Sequence, residues 1–424
     1  MYASHERSTD PLLATLAISW IFLALCLWRL ATPSIAYFDE IHYLPAARDM
    51  LGGRDWINIE HPPLGKIIIA GGIALLGDNP WGWRFFPALL GALAVFAFSR
   101  ALWEASRRPF ATVAFAILLA TGFFTIVHAR IAMLDGIMVG FFALAIWQMA
   151  RAVRAPEEGR RRLAIAGLAL GAAMATKWNV LPLAALPGLA FLAARIHAGR
   201  RRLLLSKRGA PVPGVSLVEA AMWLGALPLA VYFASFLPAW LMDHHPYQDR
   251  GLLAIQTMML DLHQSVKDPH TYQSTWQQWI VNLRGIWYLY EEVDGAWRGV
   301  LLIGNPFTML AGLPALAWCG WIAWTRRRPD AAAVVALYLV SLALWIIAAK
   351  PVQFYYHYYL PSCFLLAALA LALDAMKQRG LGWLSYGVLV TSAVFFAVFF
   401  PVLTAMELEA SDSFIAWTWI DGWL

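Results

Sequence analysis

The chain has 424 residues, of which 61% are hydrophobic and 14% charged, and its mean hydropathy is +0.60. Soluble domains are roughly 45–50% apolar and about 25% charged, so a water-soluble enzyme is excluded and an all-α polytopic membrane protein is expected. The 32 basic residues exceed the 26 acidic ones, a formal charge of +6, and their placement says more than their sum.

The first ten residues are polar. The apolar run that follows, 11–30, is too long for a signal-peptide core and lacks a small-residue cleavage site, so a retained first helix is expected. Further runs at 83–103, 110–127, 135–151, 163–177, 179–195, 217–241, 300–324, 331–348, 354–375 and 382–404 bring the expectation to about eleven spans, each near the length that crosses about 30 Å of hydrocarbon. Basic clusters occupy every second connection: Arg107-Arg108, Arg151 to Arg162, Arg195 to Arg208, Arg326 to Arg328, and Lys377 with Arg379. With Arg7 and Arg100, that side holds 20 of the 32 basic but 8 of the 26 acidic residues. By the positive-inside rule it is cytoplasmic, which puts the amino terminus inside and the carboxyl terminus outside. These loops are short and call for no nucleic acid.

Two outer connections, 31–82 and 242–299, are longer than topology needs and rich in acidic, histidine and aromatic residues. Long ordered loops are usually functional, so any chemistry is expected on the outer face. A division follows, with an N-terminal module at 1–245 and, at 246–424, the second long loop and a four-helix region. The first loop opens with Tyr37-Phe38-Asp39-Glu40. Adjacent side chains diverge by about 100° on a helix, so Asp39 and Glu40 cannot flank one bond; one acts and its neighbour supports. Next comes Glu60-His61-Pro62-Pro63-Leu64-Gly65-Lys66, whose two prolines fix φ and make a rigid corner that presents His61 and Lys66. Leu64 to Leu76 is apolar but too short to span and is expected at the outer interface or re-entrant.

Arg84, Arg130 and Lys350 lie at the outer ends of spans. Each is either an interface anchor or a functional charge; Arg130 could pair with Asp135, and together the three could hold a phosphate. The second loop carries His270, Tyr272, Ser274 and Trp276, either an aromatic belt or contacts to sugar or peptide. Cys26, Cys319 and Cys363 sit in apolar runs and suggest neither disulfide nor metal site. No nucleotide-binding or HExxH pattern occurs. The Asp39-Glu40 pair could hold a divalent ion with waters, but no cofactor or dedicated metal site is expected. A transporter is the non-enzyme alternative, yet no inverted repeat is visible and the charges cluster at one face.

The chain resembles the protein O-mannosyltransferases, polyprenyl-phosphate-sugar-dependent glycosyltransferases of the GT-C class. The resemblance rests on Phe38-Asp39-Glu40, the His61 to Lys66 element, Gly82-Trp83-Arg84, Ala129-Arg130 through Asp135, and Ala175-Thr176-Lys177-Trp178. It continues through the His270/Tyr272/Ser274/Trp276 spacing, Gly304-Asn305-Pro306-Phe307, and Tyr356-His357-Tyr358-Tyr359-Leu360-Pro361, in family order over nearly the whole chain. It implies a bundle of about eleven spans with Asp39 as the catalytic residue, Glu40 beside it, and Arg84 on the donor phosphate. The large soluble insert of eukaryotic members is absent from the second loop, as in a short bacterial member. Aminoarabinose transferases share the plan but typically read KPPL at the proline corner, and with them a lipid or glycan acceptor stays open beside Ser/Thr hydroxyls of exported proteins. The expected reaction has Asp39 accepting the acceptor's proton while Arg84, helped by Lys66 or Arg130, stabilises the departing lipid phosphate. His61 and Lys350 join this expected donor site, and His357 the sugar or acceptor site.

Overall fold

In a computed structural model of the chain, residues 9–199, 203–246, 250–265, 267–348 and 350–424 are described. Arg7 and Arg200 to Arg202, counted among the basic loop residues, lie outside them. From the amino end come α1 (Leu12–Leu27), α2 (Glu40–Gly52), α3 (Leu64–Leu76), α4 (Pro80–Ser106), α5 (Pro109–Ala120), α6 (Phe123–Ala129), α7 (Leu134–Arg154), α8 (Gly159–Thr176) and α9 (Leu181–Gly199). Then α10 (Leu217–Ala221) and α11 (Leu227–Ala234) are joined by a π turn at Met222–Ala226, and α12 (Leu252–Ser265) and α13 (Trp276–Ile280) belong to the second outer connection. Strands β1 (Ile286–Val293) and β2 (Ala296–Leu302) precede α14 (Pro306–Arg326), α15 (Pro329–Ile347), α16 (Tyr359–Gln378), α17 (Gly382–Leu403) and β3 (Glu407–Leu408).

Among the described residues eight helices are long and apolar enough to cross a membrane, and α5 with α6, bent by 56°, makes a ninth. The chain is a multi-pass membrane protein. Of the eleven expected spans, α1 has only 16 residues and α8 opens on Arg160, Arg161 and Arg162; neither meets that test, so helix length supports eight or nine. Helix starts are written locally. Asn79 accepts from the amides of Trp81 and Gly82 with Pro80 behind it, and Asn305 accepts from Thr308 with Pro306 in the first turn, a side-chain cap followed by a residue already set at helical φ.

The helical bundle carries one small sheet. Residues 286–302 form a hairpin, extended by β3 into a three-stranded antiparallel sheet, so the span expected at 300–324 starts at Pro306. Asp294 and Gly295 both have positive φ, 53° and 72°, the turn that an Asp-Gly pair favours because its twist matches that of the strands. The hairpin clamps the start of the first outer loop: Asp294 accepts from the Ser34 amide at 3.0 Å and its hydroxyl at 2.5 Å, and Tyr288 stacks on Phe38 with ring centroids 3.8 Å apart. The two long connections, 31–82 and 242–299, meet as well, where the Trp56 amide donates to His244 O at 3.0 Å and the Asp243 amide to Gly53 O at 2.8 Å. One continuous apolar core draws on both halves of the chain.

Too short to span, α3 is pressed against its neighbours. A Cβ on Gly65 would lie 2.5 Å from Leu134, and one on Gly72 would lie 2.1 Å from the Gly82 carbonyl oxygen. Gly71 has nothing within 4 Å of its would-be Cβ. Gly72→Ala should therefore lower the thermal stability of the purified protein by the equivalent of about 1–3 kcal/mol, as overpacking does, while Gly71→Ala leaves it unchanged. Equal melting temperatures for the two variants would contradict this packing.

Candidate active site

The adjacent carboxylates have opposite fates. Glu40 is completely buried and paired with Arg84, also completely buried, through two parallel 2.8 Å bonds, Nε to Oε1 and Nη2 to Oε2. Its oxygens also accept from the amides of Ala132 at 2.8 Å and Tyr37 at 3.3 Å. Arg84 spends its remaining N–H groups on the carbonyls of Leu30, Pro33 and Ile35. All five donors of a guanidinium are then committed, and none is left for phosphate. In this arrangement Arg84 anchors the loop that leads into α2, and Glu40 is held in the pair with it.

Two other expected phosphate ligands are also committed. Arg130 caps the end of α1, its Nη1 donating to Cys26 O at 2.6 Å and Trp28 O at 2.7 Å, so it serves orphan carbonyls. The alternative Arg130–Asp135 pair does not form; Asp135 binds Lys177 at 2.6 Å, both buried. Lys66 is buried and donates to the carbonyl of Asn58 and, at 3.0 Å, to that of His61, pinning the proline corner from beneath.

Asp39 has few partners by comparison. It sits at the N-cap of α2 yet makes no side-chain cap bond, and its carboxylate accepts one hydrogen bond, 3.3 Å from the Tyr43 hydroxyl. It is half-buried, and burial raises its pKa; Lys177 opposes, Asp135 adds to the rise, and His42 and the Tyr43 bond oppose. Lys177 and Lys350 act on its charge, and imidazoles lie beside these cations. The Lys177 ammonium lies 5.0 Å from the centre of the Tyr356 ring, and His61 lies 4.9 Å from His263 of α12, centroid to centroid. Burial, then Lys177, His263, Lys66 and Lys350, hold His61 well below its ordinary pKa. Lys350 is lowered to about 8, by burial first and Lys177 second, and its ammonium has no ion-pair partner among the described residues. His357 is buried, stacks on Trp345 at 3.7 Å and accepts from the Phe354 amide at 3.1 Å. Its Nε2, like His61 Nδ1, is buried without a partner among the described residues, and its ring lines a small cavity with Asp135, Asn179 and Tyr356.

The second-loop residues dock on this wall. Ser274 is buried, donates its amide to Gln353 O at 2.9 Å and accepts from Trp279 Nε1 at 2.8 Å, so its hydroxyl is structural. Trp276 opens α13 and is half-buried. His270 is exposed and packs 5.1 Å from Phe354, and Tyr272 is half-exposed beside it; these two border the open side. Lys177, Asp135 and His263 were not expected as site residues. Lys177 carries the signal of a lone cation inside an apolar run, whereas nothing around His263 in the sequence points inward.

Removing one member of a fully buried pair leaves an uncompensated charge, at a cost of about 3–5 kcal/mol. Glu40→Gln should therefore destabilise the purified protein by that order in denaturant unfolding, and Arg84→Lys, which cannot reach all five acceptors, should do the same. Wild-type stability in both would contradict the anchoring role.

Residues 60–225 match the family described as dolichyl-phosphate-mannose-protein mannosyltransferase, and residues 248–423 match the C-terminal four-helix membrane region of protein O-mannosyltransferase. The polyprenol-phosphate-mannose–protein mannosyltransferase of Mycobacterium tuberculosis is 27% identical over 454 residues, covering 91% of this chain and 86% of the relative. The Saccharomyces cerevisiae Pmt1-Pmt2 complex, solved bound to the sugar donor, superposes with a TM-score of 0.83 at 15% identity, covering 97% of this chain and 92% of that one. ArnT from Cupriavidus metallidurans, solved bound to undecaprenyl phosphate, superposes at 0.60 with 16% identity over 90% of this chain and 63% of its own. With a GT-C-type membrane bundle, and both family regions matched in order along its length, the chain belongs to the protein O-mannosyltransferase family.

Proposed function

We propose that this protein is an inverting glycosyltransferase that moves mannose from a polyprenyl-phosphate donor to Ser/Thr hydroxyls of exported proteins, with Asp39 as general base. The enzyme lies in the inner membrane, with its amino terminus in the cytoplasm and its site on the outer face, the face away from the basic loops. The observation that carries the reading is the contrast between two adjacent carboxylates. Glu40 is saturated inside the protein, whereas Asp39 holds one weak hydrogen bond and feels the charges of Lys177 and Lys350.

The acceptor oxygen attacks the anomeric carbon from the side opposite the phosphate. Its proton passes to Asp39, the bond from the sugar to phosphate oxygen breaks, and the lipid phosphate leaves as an anion. A stabilised anion needs no general acid, unlike the leaving alcohol of a glycosidase. Charge develops on the phosphate as it leaves, and Lys350 supplies the unpaired cation to meet it, with Lys177 held near Asp39 by Asp135. His61, neutral by burial, offers a hydrogen bond instead of a charge. His357 and His270 with Tyr272 border the space for sugar and acceptor. The reaction as written uses no cofactor.

Asp39→Asn in lipid nanodiscs should fold normally and transfer mannose to a Ser/Thr peptide about 10²-fold or more slowly, the size of a general-base contribution. Lys350→Ala should raise the donor KM about tenfold, the value of one charged hydrogen bond. Because Asp39 acts deprotonated and burial raises its pKa, kcat/KM should rise with pH through a limb above the ordinary carboxylate value of about 3.9; it should fall again as Lys350 loses its proton near pH 8. Near-normal transfer by Asp39→Asn would remove the base role. Transfer to a lipid acceptor with none to the peptide would favour the aminoarabinose-transferase-like alternative.

A further inference from the structure

At the opposite end of the bundle from Asp39, a second feature has no part in the transfer reaction. α16 starts at Tyr359, beside Tyr356, and its 20 residues carry the chain about 30 Å away, so Lys377 in its last turn lies at the other membrane face. There α5 and α17 enclose an apolar groove. Phe110, Val113 and Ile117 line it from α5 and Tyr386, Val390 and Ala393 from α17, each set at the three- and four-residue spacing of one helix face.

Lys377 stands at the mouth of that groove. Its ammonium lies 4.3 Å from the centre of the Phe110 ring and 5.4 Å from that of Tyr386, so two aromatic faces hold the cation over the trough. Arg108 nearby is neutralised by Asp374 at 2.5 Å, but among the described residues neither Lys377 nor Arg379, both exposed, has a carboxylate partner. A fixed, unneutralised cation at the head of an apolar channel open to the bilayer complements a phosphate carried on hydrocarbon.

We propose that this groove binds an anionic glycerophospholipid, its phosphate on Lys377 and an acyl chain laid between α5 and α17. The site is independent of the donor site, which lies at the other end of the helices. Electrostatic attraction of a basic residue to an anionic headgroup is worth about 1 kcal/mol, or about fivefold in affinity.

The test uses the purified full-length protein and phosphatidylglycerol as the probe, with phosphatidylcholine as the neutral competitor and undecaprenyl phosphate as the other lipid phosphate. Native mass spectrometry of wild type should show phosphatidylglycerol retained over phosphatidylcholine. Lys377→Ala should cut that preference about fivefold, and Ala393→Trp, which fills the trough, should remove both lipids while mannose transfer continues. A diazirine-bearing phosphatidylglycerol should label α5 and α17 peptides of the wild type, a readout that needs no variant to fold. Labelling spread evenly over the lipid-facing helices, an unchanged preference in Lys377→Ala, or displacement of phosphatidylglycerol from the groove by undecaprenyl phosphate at equal concentration would overturn the proposal.

Discussion

The ion pair of Glu40 with Arg84 ties three separate parts of the chain to one point. Arg84 belongs to α4, Glu40 opens α2, and the carbonyls of Leu30, Pro33 and Ile35 that share the guanidinium come from the strap between α1 and α2. The Ala132 amide adds the entry to α7. A buried pair of charges is tolerated only when every remaining lone pair and proton finds a partner, and here the carboxylate and the guanidinium are both saturated. Successive side chains on a helix diverge by about 100°. Fixing Glu40 inward therefore aims Asp39 away from the anchor, toward Lys177 and Lys350, and frees it from the cap role its position would otherwise give it.

Arginines and lysines divide the work by geometry. The planar guanidinium suits sites where several carbonyls converge, and Arg84 and Arg130 are both consumed that way; Arg298 follows suit on Val293 O and Ala405 O. The compact ammonium suits a site that must accept a transient anion. Lys177 is balanced by Asp135 and stays close to Asp39, and Lys350 is partly desolvated and has no ion-pair partner among the described residues. In the proposed reaction phosphate recognition falls to Lys350, while Arg84 and Arg130 are spent on carbonyls inside the protein.

Much of this was legible in the sequence. Apolar run lengths placed nearly every long helix, the Asn-Pro pairs at 79–80 and 305–306 wrote their own helix starts, and helix geometry already sets the side chains of Asp39 and Glu40 apart. Partner choice was not legible. Arg130 and Asp135 are five residues apart, but Met133 is extended between them, which turns Asp135 toward Lys177 some forty positions on. His263 reaches the site only because α12 folds back under the proline corner. The hairpin at 286–302 hid in an aromatic, apolar stretch that reads as the approach to a span, although Asp294-Gly295 announced its turn.

The most direct measurement is a structure of the protein with intact polyprenyl-phosphate mannose held by the inactive Asp39→Asn variant. The account predicts the phosphate within hydrogen-bonding reach of Lys350, about 3 Å for a charge-assisted bond, with the anomeric carbon turned toward residue 39 and the Glu40–Arg84 pair intact. A phosphate seated on Arg84, with that pair opened to receive it, would contradict it.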